Sequence, residues 1–357
     1  TSVGAGAQEP WFVDVTAQVG LSGGGTAAWG DFDGDGRPDV LIGGALFRNV
    51  EGARFEPVAL PEGAAASSGT WGDCDGDGDL DVVVTNQLSG TLSVLYNRGD
   101  GMLESRTDLP AGGSPHTVAI ADLNGNSLPD LAVPNYQVGT VSVFMNLGQG
   151  SFSDRAIYST NDAPFCALAV DIDRDGRPDL VTTSYQDGLL DIMWNDGSGG
   201  FAVRATYDVG ESLWSVTSAD LSGNGAQDLV VTQYTSGTVT VLLNSGDGTM
   251  QAPVDYQTSG NGPGWATTFD MDGDGAIDIA VVDASTHSLT VLLNNGDGTF
   301  RVTEPFETGG KGPSTVTAAD LNGNGRDDLI VTHWESNNVV VFLNLSLIHI
   351  SEPTRPY

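Results

Sequence analysis

The chain has 357 residues, 47 of them acidic and 13 basic, for a formal charge of −34, with four histidines and two cysteines. Such a surface repels nucleic acid and anionic membranes, and no run of eighteen apolar residues exists to span a bilayer, so neither partner is expected. Two cysteines make no disulfide framework: Cys74 reads as a small buried hydrophobe and Cys166 lies in a separate, non-adjacent unit, so no bond between them is expected.

Residues 1–10 are small and polar and read as a linker, and Trp11 to Thr16 reads as a lone strand. A nonapeptide then recurs seven times, starting at Asp31, Asp73, Asp122, Asp171, Asp220, Asp270 and Asp320, with spacings of 42, 49, 49, 49, 50 and 50 residues. A fixed period of this size marks a repeat architecture, which overrides the two-domain expectation from length. Each repeat follows one grammar, as in Ser215 to Asp220, Asp228-Leu-Val-Val-Thr232 and Thr238 to Asn244: a strand into the acidic loop, a strand out of it, a polar turn, and a third strand ending at asparagine. A glycine-rich turn and a weaker fourth strand follow, and four strands make a propeller blade. The strands are nearly continuous apolar runs, as suits sheets packed on both faces, and no amphipathic helical period appears, so the fold is read as all-β.

Carboxylates at alternate positions of a tight loop, with glycine at position 6, suit a hard cation that takes six to eight oxygens. An EF-hand opens with the same spacing but needs a Glu at position 12 between helices. Position 12 here is Ile42, Val84, Val133, Thr182, Val231, Val281 or Val331, so the loop joins two strands and position 9 supplies the closing carboxylate. A single copy would read as a turn former, whereas seven in register argue for calcium.

The metal set is then Asp31, Asp33, Asp35, Arg37 and Asp39; Asp73, Asp75, Asp77, Asp79 and Asp81; and Asp122, Asn124, Asn126, Leu128 and Asp130. It continues with Asp171, Asp173, Asp175, Arg177 and Asp179; Asp220, Ser222, Asn224, Ala226 and Asp228; Asp270, Asp272, Asp274, Ala276 and Asp278; and Asp320, Asn322, Asn324, Arg326 and Asp328. Up to seven sites are expected, strongest at Asp31, Asp73, Asp171 and Asp270, where positions 1, 3, 5 and 9 are all acidic. Ser127, where glycine is expected, and Ser222, a poorer ligand, weaken the Asp122 and Asp220 loops.

Ala-Asp-Leu-Asn-Gly-Asn-Gly325 with Asp328-Leu-Ile-Val and Val-Val-Val-Phe-Leu-Asn344 resembles the FG-GAP and VCBS repeats, related to the propeller of integrin alpha subunits. The resemblance spans about residues 11–345 and implies a seven-bladed β-propeller with calcium loops on one face. Trp11 to Thr16 aligns with the fourth strands of other repeats and is expected to close blade 7. Residues 346–357 break the grammar and resemble a translated sequencing-library adaptor; a genuine tail is the alternative, and either way they stand outside the fold.

In such a meander the acidic loops and hairpin turns share one face. The opposite face collects Tyr136, Tyr185, Tyr234, His333 and Trp334 after the second strands, with His116, Phe165, Trp214 and Trp265 near the inter-blade connections. Aromatics around a mouth favour a glycan or a protein or peptide ligand, although Trp214 and Trp265 also suit packing between blades. Arg98-Gly-Asp100 occupies a turn that other repeats fill with Gly-Asp-Gly and reads as a turn. The leading reading is a monomeric, calcium-stabilised, extracellular binding or adhesion module. A polysaccharide lyase or dehydratase with His116 or His333 as base, and a scaffold domain of a larger secreted protein, are the alternatives; no catalytic triad or Cys/His metal cluster is visible.

Overall fold

A computed structural model of the chain describes residues 12–14, 21, 26–51, 54–60 and 68–344. Among the described residues every regular element is a β-strand. The strands form seven antiparallel blades, each a four-stranded meander carrying one of the seven acidic loops between its first and second strands. Blade 5 is typical: Leu213–Ala219, Asp228–Gln233, Thr238–Leu242 and Val254–Gln257, with Leu229 opposite Leu242 and Val239 opposite Tyr256. The first strands of neighbouring blades lie against one another and form the inner wall of the ring, blade 7 meeting blade 1.

The continuous apolar runs are explained by the packing. In Asp39–Ile42 of blade 1, Val40 and Ile42 join the core shared with blade 7, whereas Leu41 joins the core shared with blade 2. In Asp81–Asn86 of blade 2, Val82 and Val84 face blade 1 and Val83 faces blade 3. The two-residue period of a strand therefore sorts side chains between two neighbours, with no solvent face left for polar residues. Seven separate cores result, one at each junction, and the seventh is Val40, Ile42, Phe47 and Phe55 of blade 1 on Leu321, Ile330, Val339 and Val341 of blade 7.

In blade 7 the strands Pro313–Ala319, Asp328–His333 and Asn338–Asn344 are followed, in space, by Phe12–Asp14, which runs antiparallel with Phe12 opposite Asn344 and Asp14 opposite Phe342. Trp11, Val15, Thr16, the linker 1–10 and the tail 346–357 lie outside the described residues. Cys74 and Cys166 are both free and buried.

Candidate metal loops and an aromatic face

All seven loops share one backbone frame. The position-1 carboxylate accepts the amide N–H of position 6, at 2.8 Å from Gly36, 3.0 Å from Gly275 and 2.7 Å from Gly325. That closure needs left-handed backbone at positions 4 and 6, φ +70° and +83° at Gly34 and Gly36. Ser127 at φ 66° and Arg174 at φ 64° hold this conformation without being glycine, a strained choice at both places.

Position 9 is the buried pivot of each loop. Asp278 accepts the N–H of Met271 at 3.0 Å and the N–H of Asn294 at 2.8 Å, and Asp81 does the same with Cys74 at 2.7 Å and Asn97 at 2.8 Å. Burial pushes these carboxyls up, with the backbone hydrogen bonds pulling the other way: to about 7 at Asp81 and about 6 at Asp39, Asp179, Asp278 and Asp328.

The loops divide into two kinds. In the acidic ones, carboxylate oxygens of Asp31, Asp33 and Asp39, of Asp73, Asp75 and Asp81, of Asp171, Asp173 and Asp179, and of Asp270, Asp272 and Asp278 lie within 4.8 Å of one another. Three carboxylates at that distance repel, and a divalent cation with oxygen preference is the species that relieves them. These residues fit such an ion. Position 5 (Asp35, Asp77, Asp175, Asp274) lies outside the three-oxygen groups and accepts the N–H of position 7, at 2.9 Å from Arg37, 3.0 Å from Asp79, 2.9 Å from Arg177 and 2.8 Å from Ala276.

The other three loops fit an ion less well, because amide hydrogens already meet the same acceptors. Asn124 Nδ2 and Asn322 Nδ2 each donate to the position-9 carboxylate, Asp130 and Asp328, at 3.1 Å. At the Asp220 loop the backbone N–H of Ser222 reaches Asp228 at 3.0 Å. One turn on, Asn126, Asn224 and Asn324 donate to the carbonyls of Asn146, Asn244 and Asn344 at 2.9, 2.8 and 3.1 Å, while Leu128, Ala226 and Arg326 close on their side-chain oxygens through the backbone at 2.9, 2.7 and 2.8 Å.

The asparagine that ends each third strand was visible in the sequence only as a repeat mark; the structure gives it a task. Asn244 Nδ2 donates to Gln227 O in its own loop at 3.1 Å and to Ile172 O in the loop of the preceding blade at 2.8 Å. Asn97, Asn146, Asn195, Asn294 and Asn344 make the same reach, to Phe32, Cys74, Leu123, Leu221 and Met271. Each clasp ties one candidate metal loop to the next blade. Its partner lies about seventy residues away, so no local pattern could have announced it.

At the other end of the propeller, rings from four consecutive blades touch in series. His116 and Phe165 have centroids 4.3 Å apart, Phe165 and Trp214 4.2 Å, and Trp214 and Tyr234 4.9 Å; Tyr136, Tyr185 and Trp265 complete the patch at 5.2 to 6.3 Å. Phe165 is buried at the centre and the other six keep part of their surface. Trp265 also packs on the core between blades 4 and 5, so the packing and surface readings both describe it. Trp334 is 60% exposed but stands apart from this patch on blade 7, beside Gly312.

The structure differs from expectation at His333. The residue is fully buried, with Nε2 3.0 Å from Thr308 Oγ1 and Nδ1 3.3 Å from Asn338 O, because in blades 2 to 7 the last residue of the second strand is polar and points into a polar layer under the turn. Gln233, which reaches Val209 O and Thr240 Oγ1, and Asn135, which reaches Thr140 and Ser142, occupy the same place. This layer fixes the turns that carry the aromatic rings.

Known proteins place this architecture in context. A lectin from Agrocybe aegerita, described as recognising non-reducing terminal N-acetylglucosamine, superposes with a TM-score of 0.59 at 20% identity, over 85% of this chain and 88% of that one. A periplasmic gluconolactonase from Pseudomonas aeruginosa gives 0.59 at 16% over 79% and 80%, and a virginiamycin B lyase from Staphylococcus aureus 0.60 at 11% over 93% and 98%. At such identities the likeness is one of fold. No curated protein matches the sequence. The description of the FG-GAP-like repeat matches five overlapping segments, 73–133, 122–182, 171–231, 220–281 and 270–331. With one acidic loop opening each segment and another closing it, the chain belongs to the FG-GAP-like repeat family.

Proposed function

We propose that this propeller is a calcium-stabilised extracellular binding module, with cations held by the acidic loops at one end and a ligand taken at the other. The observation that carries the reading is the patch of six partly exposed rings around the buried Phe165, running from His116 to Trp265 across blades 3 to 6. Aromatic faces supported from below by a hydrogen-bonded polar layer form a rigid platform, suited to stacking on sugar rings or clasping a peptide. Leu88 and Val138, both exposed on second-strand turns of the same end, extend the apolar surface. When bound, calcium supplies the positive charge that holds the acidic loops and, through the asparagine clasps, adjacent blades in register. The test is a glycan and peptide array read with and without calcium. Tyr185→Ala and Tyr136→Ala should weaken any ligand found by about fivefold or more with the melting temperature kept. Normal binding by both variants, with binding lost instead on changing Arg98 to Asp100, would place function at the wrong end.

A second reading, an enzyme using the same patch, is favoured by His116 alone. Burial pushes its pKa down to about 4, so the ring is neutral at pH 7, and Gln87 Nε2 lies 2.7 Å from its Nε2. Such an imidazole is unprotonated at neutral pH but a weak base, which keeps this reading second. A polysaccharide screen for unsaturated products decides this: absence of turnover, or turnover untouched by His116→Ala, removes the reading.

A further inference from the structure

We propose that Arg48 is a built-in cation of the Asp31 loop, standing where the neighbouring acidic loops take a metal ion, so that this loop binds calcium more weakly than its four carboxylates suggest. The inference rests on the cation-holding reading of the acidic loops.

The first observation is the order of loops around the ring. Acidic loops in blades 2, 4 and 6 alternate with amide-closed loops in blades 3, 5 and 7. Alternation separates like charges, but seven is odd, and blade 1 brings a second acidic loop against blade 2. The second observation is what stands at that junction. The residue before this asparagine is Tyr96, Met145, Trp194, Leu243, Leu293 or Leu343 in the blades that make the clasp, and in blade 1, before Asn49, it is arginine. In five blades, 1 to 5, this side chain leans on the second glycine of the next blade's hairpin, where a Cβ would collide with it: Gly101, Gly150, Gly199, Gly248 and Gly298.

Arg48 uses that seat for a charge. Its Nε lies 3.0 Å from Asp33 Oδ2, with side chains 33% and 13% exposed. Its Nη2 donates to Gly101 O of blade 2 at 3.0 Å, and the guanidinium stands 5.5 Å from the centre of the Phe32 ring. The contact with Asp33 is close but poorly aligned for a hydrogen bond, so it holds by charge and is open to competition. A second arginine completes the substitution: Arg37 pairs with Asp35, and its Nε donates to Asn49 O at 2.9 Å, the carbonyl position that Asn126, Asn224 and Asn324 satisfy in the amide-closed loops. The Asp31 loop thus keeps the acidic sequence and takes its donors from the protein. A calcium ion entering it must displace the guanidinium from Asp33.

Calorimetric titration of the full chain with calcium tests this. Wild type should show three tight equivalents and a weaker fourth. Arg48→Met, borrowing the residue of blade 3, should tighten the fourth by at least about fivefold. R48K, which keeps the charge, should leave it weak, and adding D33N to R48M should abolish the gain. Should R48M fold poorly, R48Q removes the charge with a side chain that can still donate to Gly101 O. Four equal sites in wild type, or identical isotherms for wild type and the neutral variants, would overturn the proposal while leaving the acidic loops as cation sites. Absence of calcium binding altogether would overturn both.

Discussion

Replacing Asn244 with alanine probes how the loops hold the ring. The side chain is fully buried and makes four hydrogen bonds: Nδ2 to Ile172 O at 2.8 Å and Gln227 O at 3.1 Å, and Oδ1 from Gly246 N at 2.9 Å and Gly248 N at 3.2 Å. Alanine deletes all four and leaves two carbonyls and two N–H groups in a site with little room for water. At about 1 kcal/mol for each bond lost, the expected destabilisation is roughly 3–4 kcal/mol, near the upper end for a single substitution. Asn244→Asp keeps the shape and both acceptor bonds but sets a carboxylate against two carbonyls, so it should be no milder. Urea unfolding in saturating calcium, followed by intrinsic fluorescence, measures the shift in midpoint and slope. Because Ile172 lies in the loop of blade 4, the alanine variant should also weaken calcium binding there. A loss below about 1 kcal/mol, or one as large at an exposed control such as Asn295→Ala, would refute the view that this amide fastens one blade to the next.

Calcium itself should stabilise the fold: at a dissociation constant of about 10⁻⁴ M, each site contributes ~1.4 kcal/mol in about 1 mM calcium, and an unchanged melting temperature in EDTA would contradict this. Without metal, stability should fall as pH rises from about 4 to 7, because folding lifts the position-9 carboxyls to about 6 or 7 and the folded state binds more protons than the unfolded chain over that window. Saturating calcium should flatten that slope by competing with the protons, and parallel pH profiles with and without calcium would count against it. Asp272→Asn should remove a calcium equivalent, whereas Asn322→Asp, which loses the amide donor to Asp328, should add one; equal isotherms would show that the two loop kinds do not differ. Deleting residues 1–10 should be harmless, whereas deletion through Thr16 removes the strand beside Asn338–Asn344 and should promote aggregation through the bared edge; a monomeric, equally stable product would mean that closure lies elsewhere.

The local chemistry of this protein was legible from the chain. A nonapeptide repeated seven times indicated the number of blades, since the short β-branched runs after each acidic loop mark strands and the apolar runs beside it required a partner on each face. The grouping of acidic loops at Asp31, Asp73, Asp171 and Asp270 was readable as a count of carboxylates, because the three that converge in each all lie within one loop of nine residues. Only the tertiary structure decided what depends on neighbours in the ring. The clasp from Asn195 to Leu123 joins residues far apart in sequence, and His333 proved to be a buried support because the turn above it folds over a polar layer. Arg48 and Asp33 share one repeat, but the seat that holds the guanidinium there, the carbonyl of Gly101, comes from the hairpin of the next blade, which no single repeat encodes.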